Sequence, residues 1–151
     1  KNIHSYFKGN TENNKHMVNA AFLSGRAINE SKTTLPHALS YFMTKKYGIP
    51  HGHAVALTLG FVGKINIISG DEKLKNVMLE ITNMLGIDAK NFEQYWRELM
   101  EMSGLEVNLS KLGVEKNDLD LLIESVNVER LKNHPISIDK LTLMKELGGI
   151  F

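Results

Sequence analysis

The 151 residues contain no cysteine. Disulfides and thiolate metal sites are therefore excluded. Proline is scarce, with three in the chain. No apolar run approaches the roughly 20 residues needed to span a bilayer, and no signal peptide is visible. Neither sign of charge dominates: 18 basic and 17 acidic residues leave a net charge of +1. They are spread along the chain without a lysine-arginine cluster, so nothing points to nucleic acid. No convincing strand, internal repeat or low-complexity tract occurs. Ile65 to Ile68 is rich in β-branched residues but too short and isolated to carry a sheet. The expectation is a soluble, cytoplasmic protein without membrane or nucleic-acid partners.

What is present is apolar content of 42%, enough for one compact domain with a real core. A chain of about 150 residues buries roughly 70% of its unfolded surface. The periodicity is helical. Residues 1–15 are polar and turn-rich and read as a short element or a lead-in. From His16 to Asn29, Met17, Ala20, Ala21, Ser24 and Ala27/Ile28 fall at spacings of three and four, one face of a helix. The small residues on it would let another element pack very close.

A helix follows from about Pro36, with Thr34 as its expected N-cap, to about Lys46. Gly48 reads as its stop and Pro50 bars continuation. The next helix opens at about His51 and is apolar almost all round, so it should be central and buried. Gly60 and Gly63 within it suggest close packing or an early end. Asp71 begins a further helix that Gly86 ends. Asp88 or Asn91 begins one carrying Phe92, Tyr95, Trp96, Leu99 and Met102. Asn117 or Asp118 begins another, through Leu121, Leu122 and Val126, and Ile138-Asp139 opens the last. The expected fold is an all-α, irregular bundle of about six to eight helices, one domain over residues 1–151.

The segment LPHALSYFMTKKYGIPHGHAVA, residues 35–56, holds three of the six histidines. His37 and His51 each follow a proline, and each sits where a helix begins. Their helix starts converge only if the helix between them is short or the crossing is oblique. Two neutral imidazoles on rigid elements suit Fe, Zn, Ni or Cu. Two ligands do not complete a site, however, and a histidine at a helix start is more often a capping or solvent-facing residue. His53 lies about 200° around the helix from His51. It reads as a polar wall residue or as one supporting a ligand from behind. His4, His16 and His134 have polar neighbours and read as surface residues.

Residues 20–59, AAFLSGRAINESKTTLPHALSYFMTKKYGIPHGHAVALTL, resemble the metal-binding core of the iron-dependent (group III) alcohol dehydrogenases. In that family a helical C-terminal domain carries a histidine, and a second follows 14 positions later within Pro-His-Gly, as His37 and Pro50-His51-Gly52 do here. The tail NVERLKNHPISIDKLTLMKEL also resembles the family's. The resemblance implies that His37 and His51 are two of four ligands to a divalent metal, Fe2+ or Zn2+. The other two in the family are an Asp and a His spaced by four on one helix, upstream of the first histidine. Residues 1–36 contain no Asp. The chain starts at Lys1 rather than Met, and the family's glycine-rich nucleotide-binding turn is absent. The expectation is most of a C-terminal metal-binding domain, without its N-terminal nucleotide-binding domain and inactive by itself.

For the longer protein, the resemblance implies reversible hydride transfer between NAD(P)H and a small aldehyde or alcohol, in a homodimer. Many relatives carry a second histidine four residues after the first; here Tyr41 stands there, as a proton-relaying or substrate-bonding group or as a packing aromatic. The form SKTTLPHALSY resembles the phosphonoacetaldehyde reductase branch. A phosphonate needs cations and donors near the metal, which Lys32, Thr33 and Thr34 would supply; the alternative is a solvated capping loop. Two rival readings remain. The run His51-Gly52-His53-Ala54-Val55-Ala56 also resembles the dehydroquinate-synthase-like lyases, and a helical dimerisation module without catalysis fits half a metal shell.

Overall fold

A computed structural model describes residues 3–126 and 131–151. The described residues form α-helices joined by turns and short 3-10 segments, with no strand among them. The helices are α1 Ile3–Phe7, α2 Asn14–Glu30, α3 Leu35–Tyr47, α4 His51–Ile68, α5 Glu72–Leu85, α6 Phe92–Met102, α7 Leu119–Glu124 and α8 Lys140–Gly149. No helix among the described residues is long and apolar enough to cross a membrane.

The all-α expectation holds, and the helix ends follow local chemistry. Gly48 closes α3 and Gly86 closes α5, each with positive φ, the conformation that costs a glycine least. Asp71 accepts the Leu74 N–H at 2.8 Å and starts α5. Asp139 does the same for Thr142 at 2.8 Å and starts α8. Such caps contribute roughly 1 kcal/mol each. Thr34 occupies the N-cap position of α3, but its hydroxyl makes no capping bond. Ile65 to Ile68, β-branched but isolated, simply finishes α4.

α4 is the central element, as its apolar surface requires. Ala54, Leu57, Phe61, Val62 and Ile65 are buried along it. It packs against α3, α5 and α6. Leu35, Ala38, Leu39 and Met43 of α3 meet it in a core that Leu109, Leu122 and Leu147 extend toward the C-terminal part. Each such leucine stabilises by about 1.5–3 kcal/mol when fully buried. Gly60 and Gly63 mark close packing, not an early end: α6 crosses α4 there, and Trp96 Nε1 donates to the Ala56 carbonyl at 2.8 Å. Lys64 then ties α4 to Glu93 of α6 and to Glu146 of α8.

Several expectations need correction. The face of α2 that periodicity marks for close packing is not covered: no residue of α2 is buried, and Ala20, Ala21, Ser24, Ala27 and Ile28 on that face are exposed. Helical spacing shows which side is apolar but not whether a neighbour covers it. α2 also begins at Asn14, two residues before the expected start at His16. α7 ends at Glu124, before Val126, while its start is as expected, with Asp118 in the N-cap position at the end of a 3-10 turn over Lys116–Asp118. His134 is not a surface residue: it is 7% exposed, in a loop whose polar sequence gave no sign of burial. His4 is half-buried, edge-on to the Tyr95 ring at 5.7 Å between centroids.

Candidate metal centre

The site is built by α3 and α4. Pro36 stands in the first turn of α3, where a missing N–H costs nothing. The Thr34 carbonyl accepts from the His37 and Ala38 N–H groups at 3.1 and 3.2 Å and sets the helix start. His37, Ser40 and Tyr41 then share one face at spacings of three and four. α3 runs its full 13 residues before Gly48 stops it. A helix that long carries its C-terminus roughly 15 Å from His37.

The chain recovers much of that distance in Gly48, Ile49 and Pro50. Three non-helical residues span up to about 10 Å. They lead back along α3, with Ile49 buried against the core, so that α4 opens beside the middle of α3. Pro50 takes the N-cap position of α4, and its carbonyl accepts the Ala54 N–H at 2.9 Å. His51, the next residue, comes to rest against Ser40, Tyr41 and His37. The His37 and His51 rings are 5.4 Å apart between centroids and inclined by 62°. The Tyr41 and His51 rings are 5.5 Å apart and inclined by 35°. His51 Nδ1 lies 3.1 Å from Ser40 Oγ. The convergence needs no short helix, because the return segment supplies it.

His37 is half-buried, while His51 and Tyr41 are exposed, so the pair opens at the surface. The ring separation and inclination suit two imidazoles on one ion, with metal–nitrogen bonds of about 2.0–2.1 Å. The donor set is borderline-soft nitrogen, which suits Fe or Zn better than Mg or Ca. It is half a shell: among the described residues no group of three His, Asp or Glu side chains gathers to hold an ion.

The other expected site residues divide. Tyr41 joins the histidine pair. His53 turns to the opposite quarter of α4, where its Nε2 lies 2.7 Å from the Glu106 backbone carbonyl. A carbonyl only accepts, so His53 donates and ties α4 to the loop after α6. Lys32 is exposed and Thr33 and Thr34 are half-buried, all just before the first turn of α3. That position lies at the positive end of the α3 dipole. Ser40 is the residue that sequence reading missed. It is fully buried among apolar neighbours, and only its place three residues after His37 hints at a role. A separate cavity of about 340 Å³ opens between α4, α6 and the C-terminal residues, lined by Leu57, Phe61, Trp96, Arg97 and Met100; neither histidine nor Tyr41 lines it.

The fold is a helical domain that brings His37 and His51 together at its surface. The model of the Fe-containing alcohol dehydrogenase family, C-terminal, matches residues 1–145, and the chain belongs to that family. It is 30% identical over 132 residues to alcohol dehydrogenase 4 of Schizosaccharomyces pombe, covering 81% of this chain and 31% of that protein. It thus spans about a third of that relative's length. Over a shorter stretch of 47 residues it is 47% identical to phosphonoacetaldehyde reductase of Streptomyces viridochromogenes, covering 31% of this chain and 12% of that protein. Among solved structures, alcohol dehydrogenase from Oenococcus oeni superposes with a TM-score of 0.76 at 24% identity, over 95% of this chain and 39% of that one. That likeness bears on the fold, which is the helical domain expected.

Proposed function

We propose that this chain is the metal-binding part of an NAD(P)-linked alcohol dehydrogenase or aldehyde reductase, with His37 and His51 as two ligands to Fe2+ or Zn2+. The observation that carries this reading is the 5.4 Å approach of two rings, each in the first turn of its helix, in a chain of this family. The remaining ligands and the nucleotide cradle come from outside residues 1–151, in keeping with relatives of which the chain spans about a third. When bound, the metal supplies Lewis acidity at a carbonyl oxygen and the nicotinamide supplies the hydride.

The chain's own residues do the rest. α3 and the buried α4 hold the two imidazoles rigidly at the mouth of the site. Tyr41, beside His51, places a hydroxyl where a proton can be moved to or from the substrate oxygen. Lys32, Thr33 and Thr34, at the positive end of α3, receive an anionic substituent. The substrate is a small aldehyde, and phosphonoacetaldehyde is the first to try, given the 47% identity over 47 residues to a reductase of that name.

The test is metal content together with NADH and NADPH oxidation in the whole protein, with phosphonoacetaldehyde and uncharged aldehydes as substrates. Bound metal and turnover should both be lost in His37→Ala and His51→Ala. Full metal content and turnover in both variants would rule the assignment out. Turnover of uncharged aldehydes alone would remove the anion role of Lys32 and the threonines and leave the metal site standing.

A further inference from the structure

Ser40 is an odd residue for its place. Its side chain is fully buried on the core side of α3, where Leu35, Ala38, Leu39 and Met43 are its buried neighbours in sequence. Alanine would fill the same space without a polar atom to satisfy. The hydroxyl makes two contacts. It donates to the His37 backbone carbonyl at 2.7 Å, and it lies 3.1 Å from His51 Nδ1.

The proton count decides what those contacts are. A serine hydroxyl has one proton and two lone pairs, and a carbonyl has no proton to give. The serine proton therefore goes to the His37 carbonyl, a common bond for a serine inside a helix. What remains on Oγ is a lone pair facing His51 Nδ1. The contact is a hydrogen bond only if Nδ1 carries the proton. The opposite arrangement, with Oγ–H turned to a bare Nδ1, leaves two oxygens at 2.7 Å with no proton between them. One chain of bonds satisfies every atom: His51 Nδ1–H to Ser40 Oγ–H to the His37 carbonyl.

We propose that Ser40 is a positioning residue that holds His51 as its Nδ1–H tautomer, leaving the Nε2 lone pair for a metal. This rests on the metal-ligand reading of His51. Ligating histidines commonly donate their second ring N–H to a protein acceptor, which fixes both tautomer and ring orientation. Here that acceptor is bonded in turn to the backbone carbonyl of the other histidine, so Ser40 ties the His51 ring to the first turn of α3. Each bond in such a chain polarises the next.

The test reads the tautomer directly, without metal. Histidine nitrogens are labelled in the whole protein, and long-range proton–nitrogen spectra are taken at pH about 8, above the ordinary imidazole pKa of about 6.5. His51 is assigned by the signals missing in His51→Gln. Wild type should show a protonated Nδ1 and a bare Nε2. In Ser40→Ala the ring should move toward the Nε2–H form that an unrestrained histidine side chain prefers, and affinity for Zn2+ should fall about 10–100-fold. Ser40→Thr, which keeps the hydroxyl, should restore both.

An Nε2–H ring at His51 in wild type overturns the proposal, whether or not Ser40→Ala folds. So does a Ser40→Ala protein whose tautomer and Zn2+ affinity are unchanged, even though the metal site then stands. A tautomer that switches in a protein that takes up no metal supports the role of Ser40 and overturns the metal reading instead.

Discussion

The ring of Phe92 lies where a side chain on Gly63 would have to go: a Cβ there would fall 2.1 Å from Phe92 Cε1 and 2.5 Å from Cδ1. α6 therefore reaches α4 because Gly63 has no side chain, and the buried Phe92 ring fills the gap. Gly63→Ala should cost about 1–3 kcal/mol, the usual range for overpacking a core, read as a shift in urea midpoint. Gly60→Ala is the control. Its Cβ would stand 3.4 Å from Trp96 Cδ1, a contact the neighbour can accommodate. Equal losses at both positions would contradict this account of the α4–α6 crossing.

Acid should loosen the join between α3 and the turn before α7. The Asp118 carboxylate accepts hydrogen bonds from Lys46 and Tyr47. Those bonds hold its pKa below the ordinary carboxylate value, with Lys46 the larger cause. A depressed pKa contributes stability above the unfolded value of about 3.9. That contribution is lost as pH falls through the folded value. Stability measured by urea from pH about 6 down to about 3 should therefore drop at the acid end, and Asp118→Asn should flatten that part of the curve. An unchanged acid limb in the variant would place the loss elsewhere.

His134 should act in a different pH window. It is buried, and both ring nitrogens lack a hydrogen-bond partner. Burial pushes its pKa down. The unfolded chain then takes up a proton near pH 6.5 while the folded one resists. Stability falls as pH drops below about 6.5, and the loss continues down to the folded pKa. His134→Leu should remove this slope and raise stability at pH about 5 relative to wild type. A variant with the same slope between pH 6.5 and 5 would show that the ring is not desolvated.

Tyr41 can be separated from its packing role by one atom. Tyr41→Phe keeps the ring beside His51 and deletes the hydroxyl. Metal content should not change, while turnover should fall by about 100-fold or more if the hydroxyl moves the proton as proposed. Unchanged turnover would assign Tyr41 to packing alone. Tyr41→Ala, which removes the ring contact as well, should also lower metal affinity.

The elements that were readable in advance are those whose cause is local. Gly48 and Gly86 end helices through their own φ, and Asp71 and Asp139 start them by bonding an N–H three residues on. The apolar circumference of α4 predicted its central place, because a helix without a polar face has nowhere else to go. α2 shows the limit: its spacing is helical, yet Ala20, Ala21 and Ile28 on the marked face are exposed. His134 shows it from the other side, a polar loop residue buried by parts of the chain that its neighbours in sequence do not reveal.

The histidine pair divides the same way. Local signals alone put His37 and His51 in the first turns of two helices, because proline and glycine act within a residue or two. They also put Ser40 and Tyr41 on the same face as His37, since that follows from 3.6 residues per turn. That the two rings meet follows from packing between helices. The return through Gly48–Pro50 and the packing of α4 on α3 bring residues 11 and 14 positions apart into contact. Those distances depend on how two helix surfaces fit, which no local preference encodes.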